Sequence, residues 1–316
     1  MPAIFSYAPA KAILFGEHAV VYGHPAIAIP IHELRTKVII HALPQAEQGY
    51  VKVISPAIGL ETELTNLHSG NPIAKAVDLI LSHFKIPTLP ACQIQIQSTI
   101  PVGCGLGSGA AVAIATLRAL SSFLGHPLSD EDVNRYAFEV EKLHHKTPSG
   151  IDNTVITYGK PVFYERGQDI SFLKITHPID MVIANSGVKV RTSDTISQVQ
   201  KNHENDPITY TAYFQSIGDL SRQARFMLER EETGNLGDLM NENQSILSKM
   251  GLSTPKLDEL ITIAFKNGAT GAKLTGGGGG GFIITLVDEH TKDSVYASLV
   301  QAGALQVHKI RLEEHF

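Results

Sequence analysis

The sequence predicts a mixed α/β (α+β) chain of two domains, on three observations. Its 316 residues exceed what one ordinary hydrophobic core organises. Alternating or apolar strand patterns are interspersed with amphipathic helical ones from end to end. Residues 101–111, PVGCGLGSGAA, join a strand pattern to a helical one through four glycines in seven residues. Glycines let a backbone approach a ligand closely, and a helix start carries about half a positive charge, so this stretch suits a phosphate.

In chain order, residues 5–15, FSYAPAKAILF, alternate loosely as a strand with Lys11 among small and apolar residues. Such a lysine either snorkels to a sheet edge or points into a site. The chain turns at Gly16-Glu17-His18, resumes as AVVYG, and gives strand patterns at 26–31, 35–43 and 50–54. Residues 71–84 place Ile73, Val77, Ile80 and Leu81 on one helical face. Residues 93–100, QIQIQSTI, alternate strictly, and 110–124 are mostly good helix formers closed by Gly125 and Pro127. A capping pattern at Ser129 and Asp132 opens a helix over 129–145, which ends in the polar turn KTPSGIDN before the β-branched run 154–157.

A second domain is expected to start around His177-Pro178, giving domains 1–177 and 178–316. It opens on a strand at 180–185, followed by helices over 193–201, 211–230, 236–250 and 256–267. Two strands then flank six consecutive glycines, Gly276 to Gly281, and a last strand occupies 305–312. Six glycines exceed what a hairpin turn requires. The run is either a flexible loop with no ligand or bare backbone against which another element closes, with Gly278 at its middle.

Two known phosphate loops are excluded at 101–111. Walker A needs Lys after its last glycine, and none stands there. A dinucleotide fold needs an acid at the end of a second strand about 20 residues on, where this sequence is helical. A glycine-rich turn that merely packs helix on strand remains the alternative to phosphate binding. Glu141-x-x-His144 is half of a di-iron carboxylate pair with no second copy, so no structural metal is expected. Net charge is −5 with no long basic run, which argues against nucleic acid. No apolar run reaches membrane-spanning length, no signal segment is seen, and two cysteines make neither a disulfide framework nor a zinc site. A reducing, cytoplasmic setting is expected, with oligomeric state left open, a homodimer included.

Three segments, PAKAILFGEHAVVYG at 9–23, PVGCGLGSGAAVA at 101–113 and GAKLTGGGGGGF at 271–282, together resemble the GHMP kinase superfamily, the small-molecule kinases of galactose, homoserine, mevalonate and phosphomevalonate. GEHAVVYG and PSGID are similar to the mevalonate kinase branch, whereas galactokinases read GEHTDYNGG in the first motif. The resemblance implies an N-terminal α/β domain and a ferredoxin-like C-terminal domain with the active site between them, ATP and Mg²⁺ as cofactors, and mevalonate as the small-molecule partner. Another GHMP kinase, or an inactive ligand-binding relative, is the alternative. By the same resemblance, Asp152 is the catalytic aspartate and Lys11 the lysine that accompanies it. Pro101, Gly103, Gly105, Leu106, Gly107, Ser108, Gly109 and Ala110 form the nucleotide loop. Ser108 and Glu141 hold the metal, and Glu17 and His18 border the substrate. His144-His145-Lys146 departs from the family's His-Gly and leaves both histidines unassigned. The chemistry would use Asp152 as base with Lys11 stabilising the alkoxide, or Lys11 alone. A cation must also meet the carboxylate of mevalonate, for which Arg166 and Arg191 are the candidates.

Overall fold

The computed structural model describes residues 3–143, 149–190, 192–230 and 233–313. Its elements are β1 (Ile4–Phe15), β2 (Ala26–Ala42), β3 (Val51–Ser55), β4 (Leu60–Glu63), α1 (Pro72–Phe84), β5 (Cys92–Ser98), α2 (Ser108–Phe123), α3 (Asp130–Glu141), α4 (Ile151–Tyr158), β6 (Val162–Tyr164) and β7 (Ser171–Phe172). There follow β8 (Ile179–Asn185), α5 (Thr192–Asn205), α6 (Pro207–Glu229), α7 (Leu236–Lys249), α8 (Pro255–Lys266), β9 (Gly271–Thr275), β10 (Phe282–Val287), α9 (Lys292–Gln301) and β11 (Gln306–Leu312). They form two compact units interleaved along the chain. One holds the described residues up to Ala10 with Ile31–Val102 and Gly107–Gly159; the other holds Lys11–Pro30, Gly103–Leu106 and the described residues from Lys160 onward. Strands β1 and β2 each run from one unit into the other.

The first unit is a sheet with helices. Its strand order is β4-β3-β5-β2, with β3 and β5 parallel and the other neighbours antiparallel. In β5 the alternation works as its sequence demands: Ile94 and Ile96 are buried while Gln93 and Gln95 are half-buried. Asn71 caps α1 by accepting from the Ile73 N–H at 2.9 Å, ahead of Pro72 at the first helical position. Ser129 caps α3 through the Asp132 N–H at 3.1 Å. Helix α2 is buried around most of its circumference, including Ala113, Ile114, Leu117 and Leu120. Each of its large aliphatic side chains contributes roughly 1.5–3 kcal/mol by leaving water, and small alanines between them let α1, α3 and α4 pack closely.

In the second unit the start of β2 pairs with β6, and β6 with β7. A separate antiparallel sheet has the order β11-β8-β10-β9. With α9 between β10 and β11 and helices between β8 and β9, this is the ferredoxin-like arrangement. Helices α8 and α9 cover it with Leu257, Leu260, Ile261, Val295 and Leu299. Among the described residues no strand pairs with the outer edge of β9; side chains of α7 take its place. Asn241 Oδ1 accepts from the Ala272 N–H at 3.0 Å, and Gln244 Oε1 from the Leu274 N–H at 2.9 Å. Among the described residues no helix is long and apolar enough to cross a membrane.

Several elements differ from the sequence expectation. The patterns at 26–31 and 35–43 are one strand, β2: the exposed pair His32-Glu33 interrupts the alternation but not the extended backbone. AVVY is not extended but a 3₁₀ turn, Ala19–Tyr22, set by His18 at φ 59° and held by Tyr22 stacking on Phe214 with ring centroids 4.0 Å apart. The helix expected over 129–145 is helical over Asp130–Glu141, and its last two expected positions lie outside the described residues. Helices α4, where the β-branched run 154–157 is helical, and α9, and strands β4, β6 and β7, have no counterpart in the expectation.

Candidate active site

Within the second unit, Lys11 is 6% exposed in β1, so it does not snorkel to a solvent edge. Its backbone N–H donates to the Leu106 carbonyl at 3.1 Å, tying the strand to the glycine loop. That loop's tip meets the six-glycine run backbone to backbone. A Cβ on Gly276 would stand 3.5 Å from Gly105 Cα, and one on Gly281 would stand 3.2 Å from the Cys104 carbonyl. Gly103, Gly105, Thr275, Gly277 and Gly280 are among the residues lining a small cavity there. The run is held rather than loose: Gly279 N–H donates to Leu252 O at 2.7 Å, and Gly281 N–H to Val188 O at 3.0 Å. Gly278 also lines the cavity, yet its missing side chain is explained by packing, since a Cβ would lie 2.7 Å from the Leu252 carbonyl.

Glu17 and His18 are buried in the same unit. The His18 Nε2–H donates to the Gly277 carbonyl at 2.9 Å. Burial pulls the His18 pKa below the ordinary histidine value, against the opposing effects of that hydrogen bond and of Glu17. Both Glu17 oxygens are engaged inside the protein: Oε1 pairs with Lys273 Nζ, and Oε2 accepts from Asn243 Nδ2 at 3.1 Å. Lys273 is fully buried, and burial pulls its ammonium pKa down while Glu17 opposes this. Arg166 is exposed and donates to the Val21 carbonyl at 3.3 Å. Arg191, His144 and His145 lie outside the described residues.

Within the first unit, Gly107 at φ 73° turns the chain into α2, so Ser108 is its first residue, followed by Gly109 and Ala110. Pro101 is half-buried at the loop's entrance. The short connection after α2 makes α3 run back along it, and Arg118 bonds Asp130 at 2.6 Å. Ser108 precedes Arg118 by about the same length of helix as Glu141 follows Asp130, so both reach the same end of the pair. Helix α4 runs back along α3 in turn. Near its far end the Thr157 carbonyl accepts from Arg118 at 2.5 Å; near its start Asn153 Nδ2 donates to Asn134 Oδ1 at 2.6 Å. Gly150, at φ 83°, lies against Phe138. Asp152, half-buried in the first turn of α4, therefore lies alongside the middle turns of α3, between Asn134 and Phe138. Ser108 and Glu141 thus stand at the same end of the α2–α3 pair, and α4 begins beside Phe138, between that end and the middle of α3.

The sequence reading missed Lys273, Thr275 and Asn243. The signal for Lys273 was present, a lysine in an apolar strand, as at Lys11. Asn243, inside a helix, carried none.

Known proteins resemble this chain along most of its length. The model of the GHMP kinases N terminal domain matches residues 71–160, and that of the GHMP kinases C terminal matches 228–305. A mevalonate kinase of Pyrococcus horikoshii is 34% identical, the match covering 98% of this chain and 96% of that one. The crystal structure of the Methanococcus jannaschii mevalonate kinase superposes with a TM-score of 0.85 at 27% identity, covering 99% of each chain. That of the L. major mevalonate kinase, in complex with R-mevalonate, gives 0.82 at 28% identity, covering 98% of this chain and 95% of that one. The chain belongs to the GHMP kinases, within the mevalonate kinase family.

Proposed function

We propose that this chain transfers the γ-phosphoryl group of ATP to the primary hydroxyl of (R)-mevalonate, giving 5-phosphomevalonate and ADP. The observation that carries the reading is that Ser108 and Glu141 reach the same end of the α2–α3 pair while α4, with Asp152 in its first turn, runs back along α3, in a chain similar over nearly its whole length to mevalonate kinases. Phosphoryl transfer asks chiefly for positioning and for neutralisation of charge on phosphate oxygens. Backbone N–H groups of the loop that follows Pro101, from Val102 to Ala110, with the N-terminus of α2, hold the phosphates. Ser108 and Glu141 offer hard oxygen donors of the kind Mg²⁺ prefers, and that ion, when bound, supplies charge neutralisation on the phosphate oxygens. Asp152 takes the proton of the attacking hydroxyl as the new O–P bond forms and the bond to the ADP oxygen breaks. Lys11 stabilises the developing alkoxide.

Arg166 and Arg191 are the candidate cations for the substrate carboxylate, and His18, bonded to the Gly277 carbonyl, borders the substrate, whereas Glu17 is committed to Lys273 and Asn243 and Gly278 packs against Leu252. The division at 177/178 is kept as one of sequence, with the family matches at 71–160 and 228–305 on either side of it, whereas the compact units are interleaved and the second takes in the described residues from Lys160. A reducing, cytoplasmic setting suits Cys92 and Cys104, two buried thiols, the Cys92 pKa being pushed up to about 12 by burial. The test is a coupled assay of ADP release with mevalonate, phosphomevalonate, galactose and homoserine as acceptors. Mevalonate should give the highest kcat/KM; preference for any other acceptor overturns the substrate assignment.

A further inference from the structure

Lys273 is the largest charged side chain wholly withdrawn from water in this chain's described residues, and its partner Glu17 is 2% exposed. A buried ion pair is a poor source of stability, because desolvating both charges offsets their attraction. Its geometry suggests another use. Three cross-links join the segment after Lys11 to the segment entering the six glycines. Lys273 Nζ pairs with Glu17 Oε1 and also donates to the Leu274 carbonyl at 2.8 Å. Thr275 Oγ1 accepts from the Ile13 N–H at 3.0 Å and donates to the Ile13 carbonyl at 2.8 Å. His18 reaches the Gly277 carbonyl.

The turn that presents Glu17 has no slack. A Cβ on Gly16 would stand 2.4 Å from Ala26 Cα, and His18 holds φ 59°, a conformation that L-residues seldom adopt. Asn243 fixes the second Glu17 oxygen from α7, leaving that carboxylate one orientation.

We propose that Glu17 and Lys273 form an internal clamp that sets Lys11 and the glycine run in register with the loop at Gly103–Leu106, Lys273 being a positioning residue and Glu17 its holder rather than a substrate ligand. The inference rests on the kinase reading above for its kinetic consequence, but not for its structural one. Displacement of a reacting group by about 1 Å costs up to ~10²-fold in rate. Loss of the clamp therefore shows in kcat while the binding groups themselves remain.

The experiment compares the full-length wild type with Lys273→Met, Glu17→Gln and the double variant. Kinetics, thermal midpoint and amide hydrogen exchange at Gly279 and Gly281 are read in each. Lys273→Met strands a buried carboxylate. It should lower Tm, speed exchange of the two glycine amides by at least about 10-fold, and lower kcat by about 10- to 100-fold with both KM values within about 3-fold. The double variant removes both charges while Gln can still accept from Asn243. Its Tm should return towards wild type, yet kcat and glycine exchange should not. If kcat recovers together with Tm, the pair is merely structural and the proposal is overturned. Unchanged exchange and kcat in a folded Lys273→Met overturn it equally. Should Lys273→Met fail to fold, Glu17→Gln, which keeps size and the Asn243 bond, carries the same expectations. If the wild type fails to phosphorylate mevalonate, the kinase reading falls, while the exchange arm still decides the clamp.

Discussion

A carboxylate in a phosphoryl-transfer enzyme can accept a proton, ligate a cation or hold another side chain, and the proposed function assigns those tasks to three residues. Glu17 is committed inward to Lys273 and Asn243. Glu141 ends α3, at the end of the α2–α3 pair that also holds Ser108, and Asp152 lies in the first turn of α4. If Ser108 and Glu141 are the metal's protein ligands, Ser108→Ala and Glu141→Gln each remove one hard oxygen. Each variant should then lower turnover by about 10-fold or more and raise the Mg²⁺ concentration at half-maximal rate. Titrating Mg²⁺ at saturating substrate measures this, and two variants with wild-type metal dependence would remove the assignment. Legibility at this scale depended on contrast. Lys11 stood out because a charge among alanines and isoleucines has to be explained. The exchange of bonds among Glu17, Lys273 and Asn243 joins residues more than 200 positions apart, which no local pattern announces.

The glycine run is the element whose composition and geometry constrain one another most tightly. Its residues avoid side chains for different reasons: Gly276 and Gly281 face the loop at Cys104 and Gly105, while Gly278 and Gly280 face Leu252 and Val188. A Cβ at Gly278 would stand 2.7 Å from Leu252 O, at φ 74°, so Gly278→Val should destabilise the fold by at least about 1–3 kcal/mol through overpacking. Gly276→Ala meets Gly105 Cα at 3.5 Å, an ordinary contact, and should lower Tm less while slowing turnover. Melting both variants checks the order; equal midpoints would show that the backbone around Leu252 yields. Elements with strong period or capping were legible, as α1 with Asn71 and β5 with its Gln–Ile alternation show. The run 154–157 was opaque for a physical reason. Its β-branched residues are helical in α4 because Gly150 starts the helix, and Asn153 and Thr154 bond Asn134. Helix α9 was missed because only Val295 and Leu299 of its residues are buried.

At the scale of the molecule, two units share β1 and β2, so the chain is not cut once but interleaved. Length alone pointed to two domains, yet it could not show that strands would serve both. The ferredoxin-like order β11-β8-β10-β9 needs pairings between strands as distant as β8 and β10, which depend on the finished packing rather than on any segment. Net charge of −5 gives the whole surface no general attraction for ATP or mevalonate, both anions. Affinity must arise locally, from loop N–H groups, helix N-termini and a few cations.

The central claim is phosphoryl transfer to mevalonate with Asp152 as base, and the most direct measurement is kcat for wild type and Asp152→Asn on mevalonate, with ATP affinity measured in parallel. Asparagine keeps size and hydrogen bonding but cannot take the proton. The account predicts a fall in kcat of ~10²–10⁴-fold, with ATP affinity within about 3-fold of wild type because Asp152 is not assigned to the nucleotide. An Asp152→Asn enzyme that turns over mevalonate at near the wild-type rate would contradict it.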